Sequence, residues 1–151
     1  IVRGAPNPTV AEAFMKFLAP VERGQAAGPV ALGENLFRSI GCATCHVPSM
    51  NTGPNAHPLF DRKTVALFSD LLLHDIGTGD GSVQASAGAG EIRTPALWGL
   101  RLRRPLLHDG SAATIEEAIR RHRGEAGRAM EGVARLSVAE FEALRAFLRT
   151  L

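Results

Sequence analysis

Both cysteines of this 151-residue chain lie in one short segment, Cys42-Ala43-Thr44-Cys45-His46. Two thiols at this spacing can form thioethers with the two vinyl groups of one porphyrin. The histidine that follows can bind the porphyrin iron from one face. Cys-x-x-Cys-His is the attachment pattern of c-type haem. The segment therefore predicts one haem c, covalently bound through Cys42 and Cys45, with His46 as one axial ligand.

The same cysteine pair has two other interpretations. A thioredoxin-like redox pair is expected near a βαβ pattern, and the sequence has no run of β-branched strands. A structural zinc site needs four ligands, and there is no second cysteine pair, although histidines could complete such a site. The adjacent His46 and the absence of competing cysteines favour haem.

Length and composition indicate a single domain that is mainly α-helical. The chain is long enough for one hydrophobic core but not for two. Aromatic residues make up 5% of the chain and tyrosine is absent, so a buried porphyrin would supply much of the missing apolar surface. The formal net charge is +2 and the basic residues are scattered, which argues against nucleic acid as a partner. The sequence has no run of 18 apolar residues, so it predicts no transmembrane segment.

Ser/Thr-x-x-Glu patterns mark three helix starts, at Thr9, Thr114 and Ser137. Apolar residues at helical spacing follow each of them. A fourth helix is predicted over about 30–40, directly before the cysteine segment, and a short fifth over 63–73.

These elements predict a mainly α, cytochrome c-like domain of about four to five helices with long loops around one covalently bound haem. Residues 1–151 form a single domain in this interpretation. It divides into an N-terminal extension, 1–29, and a haem core, 30–151. The helix before the haem motif and the last helix are expected to pack together beside the porphyrin.

The second axial ligand of the iron largely decides the function, because a strong protein ligand makes an electron carrier and an open position admits peroxide or other small ligands. The candidates in the sequence are His57, His74, His108, His122, Met50, Met130 and Met15. His122 shares a predicted helix face with Ile115 and Ile119, so it is either a ligand or a core histidine bonded to a backbone carbonyl. Met130 is its rival, because His/Met ligation is common in cytochromes c.

Several ordered motifs carry a family resemblance. Residues 91–100 (EIRTPALWGL), 105–110 (PLLHDG) and 114–119 (TIEEAI) resemble the C-terminal haem domain of bacterial di-haem cytochrome c peroxidases and MauG-like proteins. Residues 68–75 (FSDLLLHD), and the pairing of 14–20 (FMKFLAP) with 41–48 (GCATCHVP), more narrowly resemble the di-haem thiol oxidoreductase-like branch. The resemblance covers nearly the whole chain.

The resemblance implies a ligand pair and a missing partner. In the peroxidase relatives the distal ligand is a methionine at a position that falls on His122 here. The implied ligands are therefore His46 and His122, a bis-histidine, low-spin pair that generally has a lower potential than a Met-ligated one. The relatives hold two haems, and this chain has one attachment motif, so a second haem would belong to another chain or to an absent N-terminal segment.

We therefore expect an electron-transfer c-type cytochrome domain with one six-coordinate haem. The alternative is the C-terminal haem domain of a di-haem peroxidase or MauG-like oxidoreductase, and a third, weaker hypothesis is a haem sensor. Whether the chain is an enzyme is left open, with a carrier favoured for the isolated chain. Trp98 is a candidate for an electron route, Arg93 for propionate contacts or partner docking, and His74 for lining the pocket or bonding a propionate. Each also has an ordinary structural explanation.

Partner and location follow from the cofactor. The expected partner is a redox protein or a neighbouring haem subunit, within a complex that can be membrane-associated. Haem attachment to thiols generally takes place outside the cytoplasm, so a periplasmic or otherwise extracytoplasmic location is expected. The sequence has no initiator Met and no signal peptide, which suggests a processed chain or a segment of a longer one.

Overall fold

The computed structural model describes residues 8–151 and is mainly helical. The helices are α1 (Pro8–Lys16), α2 (Val30–Ser39), α3 (Ile115–Arg121), α4 (Gly127–Ala134) and α5 (Val138–Leu148). Short 3-10 turns occupy Cys42–Thr44, Leu100–Leu102 and Gly124–Ala126. The predicted fold class is confirmed, within the range of four to five helices. No helix among these residues has the length and apolar character needed to span a membrane.

Two small antiparallel ribbons supplement the helices. Strand β1 (Met50–Asn51) pairs with β2 (Thr64–Val65), and β3 (Leu73–Asp75) pairs with β4 (Glu91–Arg93). In the second ribbon His74 lies opposite Ile92. The sequence did not predict either ribbon, because strands of two or three residues are too short to display a period-2 pattern.

Two of the predicted helix starts have their expected side-chain caps. The Ser137 hydroxyl accepts from the Glu140 N–H while the Glu140 carboxylate accepts from the Ser137 N–H, which is a complete capping box. At α3, the Thr114 hydroxyl accepts from the Glu117 N–H. The predicted start at Thr9 lies inside α1, which begins one residue earlier, and its side chain is outside the described part of the structure.

The core is formed where α2 crosses α5, as expected for the helices that flank the haem motif. Gly33 faces α5 so closely that a Cβ would lie 1.9 Å from the Ala143 carbonyl oxygen, so this crossing needs glycine. Phe37 and Phe147 pack with ring centroids 5.3 Å apart, and Leu144 is buried beside them. The packing of these two helices supports the segment that follows α2, which carries both cysteines.

The prediction of a helix over 63–73 is wrong. This segment is extended, and Phe68 and Leu71 have left-handed φ values of 54° and 63°. Its backbone is bonded to other parts of the chain: Ser69 N–H donates to the Val47 carbonyl at 2.9 Å, and Leu97 N–H donates to the Leu67 carbonyl at 2.9 Å. Tertiary hydrogen bonds therefore replace the helical ones that an apolar sequence of this kind would otherwise form.

Candidate haem site

Two histidine rings face each other beside the core. The ring centroids of His46 and His122 are 6.5 Å apart, with their planes inclined by 56°. Metal–imidazole bonds are about 2 Å long, so two imidazoles on opposite sides of one metal ion would have centroids roughly 6 Å apart. The separation fits one metal ion between the two rings.

Each ring is oriented by a hydrogen bond from Nδ1 to a backbone carbonyl. His46 Nδ1 lies 3.1 Å from the Phe68 oxygen, and His122 Nδ1 lies 2.7 Å from the Ala118 oxygen. A carbonyl only accepts, so Nδ1 carries the proton and Nε2 keeps its lone pair in the neutral ring. Metal-binding histidines are held in this tautomer by the same kind of contact. Both imidazoles are therefore prepared to bind a metal through Nε2.

His46 is positioned by the tight turn that contains the cysteines. Gly41, with φ of 100°, lies between α2 and this turn. The His46 N–H donates to the Cys42 carbonyl at 3.0 Å. The extended segment at Phe68 then supplies the carbonyl for Nδ1. The left-handed φ of Phe68 is unusual for a bulky residue, and conformations of this kind occur where surrounding contacts enforce them.

Burial disfavours the charged forms of the His46 ring and of both cysteine thiols. Burial lowers the pKa of His46 to about 4, opposed by the bond to Phe68 and reinforced by His122, so the imidazole is neutral near pH 7. Burial raises the pKa of the Cys42 thiol to about 11. Burial, together with the charges of Asp70 and Glu125, also raises the pKa of Cys45. No disulfide joins Cys42 to Cys45, so both sulfurs are available for thioether bonds.

His122 lies just after α3 rather than within the helix where it was predicted. It is the C-cap residue, with extended φ and ψ of −66° and 127°, and its N–H donates to the Ile119 carbonyl. The helix ends because the next residue, Arg123, donates its N–H to the Ile76 carbonyl at 2.8 Å. Leaving the helix there allows the ring to stand opposite His46.

His74 is half-buried and makes ion pairs. Its Nε2 lies 2.8 Å from Asp70 Oδ2 and its Nδ1 lies 2.8 Å from Glu125 Oε2. These two hydrogen bonds, from Glu125 first and then Asp70, raise the pKa of His74. Asp70, His74 and Cys45 bring their ligand atoms within 4.8 Å of one another. Because carboxylates already engage both imidazole nitrogens, this group is an ion-pair network rather than a metal site.

Arg93 and Trp98, two other residues predicted to contact the cofactor, lie at the surface. Arg93 is exposed in β4, opposite Leu73. Trp98 is 37% exposed, and its carbonyl accepts from Arg103 at 3.1 Å. Their roles at a cofactor stay predictions.

The other candidate ligands lie in separate environments. His108 pairs with Asp80 at 3.0 Å on the surface, and His57 is exposed and packs against Phe17 with ring centroids 5.2 Å apart. Met50 is in β1, Met15 is an exposed residue of α1 and Met130 is in α4. The ring opposite His46 is that of His122.

Sequence reasoning missed three residues that bond to the predicted site histidines: Phe68 bonds to His46, and Asp70 and Glu125 bond to His74. Phe68 acts through its backbone carbonyl, which any residue type could provide. Asp70 and His74 share the motif 68–75, which does not indicate that they pair, and Glu125 is 55 positions from Asp70. Only the fold brings these groups together.

Comparison with known protein families identifies the chain. Residues 11–151 match the family described as "Di-haem oxidoreductase, putative peroxidase". The chain belongs to this family. Haem is the cofactor of the di-haem oxidoreductases, and the described residues place the imidazoles of His46 and His122 face to face. None of the curated proteins matches the sequence.

Solved structures agree on the fold of this di-haem oxidoreductase domain. Hydrazine synthase from Kuenenia stuttgartiensis superposes with a TM-score of 0.62 at 21% identity, covering 91% of this chain and 52% of the other. A MauG-like protein associated with microbial copper homeostasis gives a TM-score of 0.50 at 26% identity, covering 84% and 47%. The chain thus spans about half the length of the solved chains it matches.

Proposed function

We propose that this chain is an electron-transfer haem domain in which one haem c is attached through Cys42 and Cys45 and held by His46 and His122. The observation that carries the proposal is the pair of imidazoles with centroids 6.5 Å apart, each with Nδ1 bonded to a carbonyl. Bound haem supplies one-electron oxidation and reduction at its iron. His46 and His122 would hold the iron from its two faces, which would make it six-coordinate and low-spin.

The chain's own residues hold the two ligands and keep small molecules away. The Phe68 and Ala118 carbonyls accept from each Nδ1–H, which selects the tautomer that has its lone pair on Nε2 in the neutral ring. Because each ring is held by a backbone carbonyl, electron transfer would need little rearrangement of the protein. Phe37, whose ring centroid lies 6.4 Å from that of His46, adds apolar surface on the proximal side.

Replacing one ligand tests the coordination. His122→Ala should convert a sharp low-spin spectrum to a high-spin one and allow rapid binding of carbon monoxide. Met130→Leu, which removes the rival thioether while keeping a similar volume, is the matched control and should leave the spectrum unchanged. High-spin conversion in Met130→Leu, or an unchanged spectrum in His122→Ala, would contradict the proposal.

Covalent attachment has its own test. On a denaturing gel the native chain should retain one haem per 16.0 kDa, and haem should be lost from a Cys42→Ser, Cys45→Ser variant. In the thioether each sulfur forms one bond to a vinyl carbon and the thiol hydrogen moves to the adjacent carbon, so the addition is redox-neutral. A wild-type chain that releases its haem on denaturation would refute this part of the proposal.

A second candidate function is supported by the comparisons. The family description refers to peroxidases, and the chain spans about half of each solved chain it matches. In this alternative the chain is the C-terminal haem domain of a di-haem peroxidase or MauG-like oxidoreductase, with a second haem on another segment or chain. Peroxide turnover by the chain together with such a partner, but not by the chain alone, would favour it.

The expected partner is a redox protein or a neighbouring haem subunit, in a periplasmic or other extracytoplasmic compartment. Exposed arginines near the site, including Arg93 and Arg103, support docking of an acidic surface. Electron transfer to such a partner should slow as ionic strength rises.

A further inference from the structure

His74 bridges two carboxylates that belong to distant parts of the chain. It lies 2.8 Å from Asp70 Oδ2 and 2.8 Å from Glu125 Oε2, through different ring nitrogens. A histidine that donates from both nitrogens is the imidazolium, so both contacts are charge-assisted. The His74 and Asp70 side chains are 19% and 13% exposed, so water screens this pair less than a surface pair.

Asp70 belongs to the segment that supports His46. Its N–H donates to the Cys45 carbonyl at 2.8 Å, inside the haem-attachment motif. It follows Phe68, whose carbonyl orients the His46 ring, by two residues. The position of Asp70 is therefore tied to the proximal half of the site.

Glu125 belongs to the segment that follows His122. One of its oxygens meets His74, and the other accepts from the Asp75 N–H at 2.9 Å. Gly124, with φ of 50°, approaches β3 so closely that a Cβ would lie 2.4 Å from the Asp75 oxygen. The chain after His122 is thus docked on β3 through both side chain and backbone.

The hydrogen bonds of His122 itself do not provide this docking. Its N–H and its Nδ1 both bond to α3, at Ile119 and Ala118. Apart from these bonds to α3 and the bonds within helices, the hydrogen bonds of the described residues that join 123–126 to distant parts of the chain end on 74–76. The contact with β3 therefore holds the segment that follows His122 against the segment that supports His46.

We propose that Asp70, His74 and Glu125 form a clamp that positions His122 opposite His46, so that His74 is a positioning residue for six-coordination. This inference rests on the proposed ligand pair. Loosening the clamp raises the fraction of molecules in which His122 is detached, while both ligands and the cysteine motif stay intact.

Carbon monoxide measures that detached fraction, because it binds the ferrous iron after His122 leaves. We expect the observed association rate in His74→Ala and in Glu125→Ala to increase about tenfold or more, the factor expected for losing a hydrogen bond between charged groups. A high-spin shoulder should accompany the increase. The increase in the double variant should be well below the product of the two single increases, because both substitutions remove the same His74–Glu125 contact.

The matched control is His108→Ala, which also removes a histidine paired with a carboxylate, at 3.0 Å from Asp80. It should leave the association rate as in the wild type. An equal increase in His108→Ala, or an increase in the double variant equal to the product of the two single increases, would show general loosening of the fold and overturn the clamp.

Milder variants keep the inference testable if His74→Ala does not yield haem protein. Glu125→Gln keeps the shape but removes the charge, and Gly124→Ala pushes the segment from β3 without changing a charge. Both should also speed carbon monoxide binding, and wild-type rates in both would refute the clamp. Rapid binding by the wild type itself would instead refute the proposed ligand pair.

Discussion

The two halves of the molecule are held together by different forces. Where α2 crosses α5, apolar side chains such as Phe37, Leu144 and Phe147 exclude water. Around the two histidines, extended segments are joined by hydrogen bonds, and buried Ser69 and Thr94 take the place of a purely apolar interior. Apolar packing is tolerant of direction, whereas hydrogen bonds fix orientation. The helical half thus supplies stability, and the loop half supplies the geometry needed by the ligands.

The largest expected effect is on the helical half. Leu144→Ala should lower the free energy of unfolding by about 2–5 kcal/mol, because it leaves a cavity in a close-packed core. Denaturant titration measures this loss. The haem spectrum of the folded fraction should stay low-spin.

Val138→Ala, on the exposed face of the same helix, is the control and should change stability by less than about 0.5 kcal/mol. A loss of the low-spin spectrum in folded Leu144→Ala would break the proposed separation between the two halves.

A smaller loss of stability is expected from a substitution in the loop half, the extended segments around the two histidines. The buried Ser69 hydroxyl donates to the Thr94 carbonyl at 2.8 Å and accepts from the Leu71 N–H at 2.9 Å. Ser69→Ala should cost about 1–3 kcal/mol, because it leaves these partners unsatisfied. It should also perturb the haem spectrum, since Phe68, which orients His46, is the adjacent residue.

Exposed Ser39 on α2 provides the control, and Ser39→Ala should change neither the free energy of unfolding nor the haem spectrum appreciably. If Ser69→Ala lowers stability but leaves the haem spectrum untouched, the loop half does not set the ligand geometry.

A cap on the helical half should matter less. Ser137→Ala removes the capping box at the start of α5 and should cost about 1 kcal/mol. Thermal unfolding measures it, and the haem spectrum should not change. A cost as large as that of Leu144→Ala would mean that local capping, rather than packing, holds α5 in place.

The smallest expected effect, again in the loop half, is the pH dependence of the stability that the His74 ion pairs contribute. The pKa of His74 is raised above its ordinary value of about 6.5, so its contribution to stability is complete below that pH and is lost as the pH rises through the raised value. Burial raises the pKa of Asp70, but the bonds from His74 and Leu72 outweigh it, and the net pKa is lowered. The bond from His74 lowers the pKa of Glu125. The carboxylates therefore contribute until acid protonates them.

Unfolding of the wild type and His74→Ala, compared from about pH 4 to about pH 9, measures this contribution. The difference in stability should be largest between the lowered carboxylate values and the raised His74 value, and should shrink toward alkaline pH. A difference that grows with rising pH would contradict the ionised clamp.

Local sequence patterns predicted the helical half well. The helix over about 30–40 is present as α2, and the last helix begins at its predicted cap, Ser137. Capping and helical periodicity depend on residues within one or two turns of each other, so they can be read without knowledge of the fold.

The loop half was predicted less well. The expected helix over 63–73 is an extended segment, and α4 and both ribbons were not anticipated. The backbone partners of the extended segment and of the residues around His122 lie far away in the sequence, as with Asp70 and Cys45 or Arg123 and Ile76. No local pattern encodes such pairings.

The sequence by itself determined the chemistry on offer: two thiols and an imidazole at the spacing of a haem-attachment motif, and a helix to carry them. The tertiary structure alone decided that His122 leaves its helix to face His46, that Phe68 bonds to His46, and that Asp70 and Glu125 meet at His74. The physical reason is the range of the interactions. Covalent spacing is set along the chain, whereas the hydrogen bonds that orient two opposed rings form only after distant segments have folded against each other.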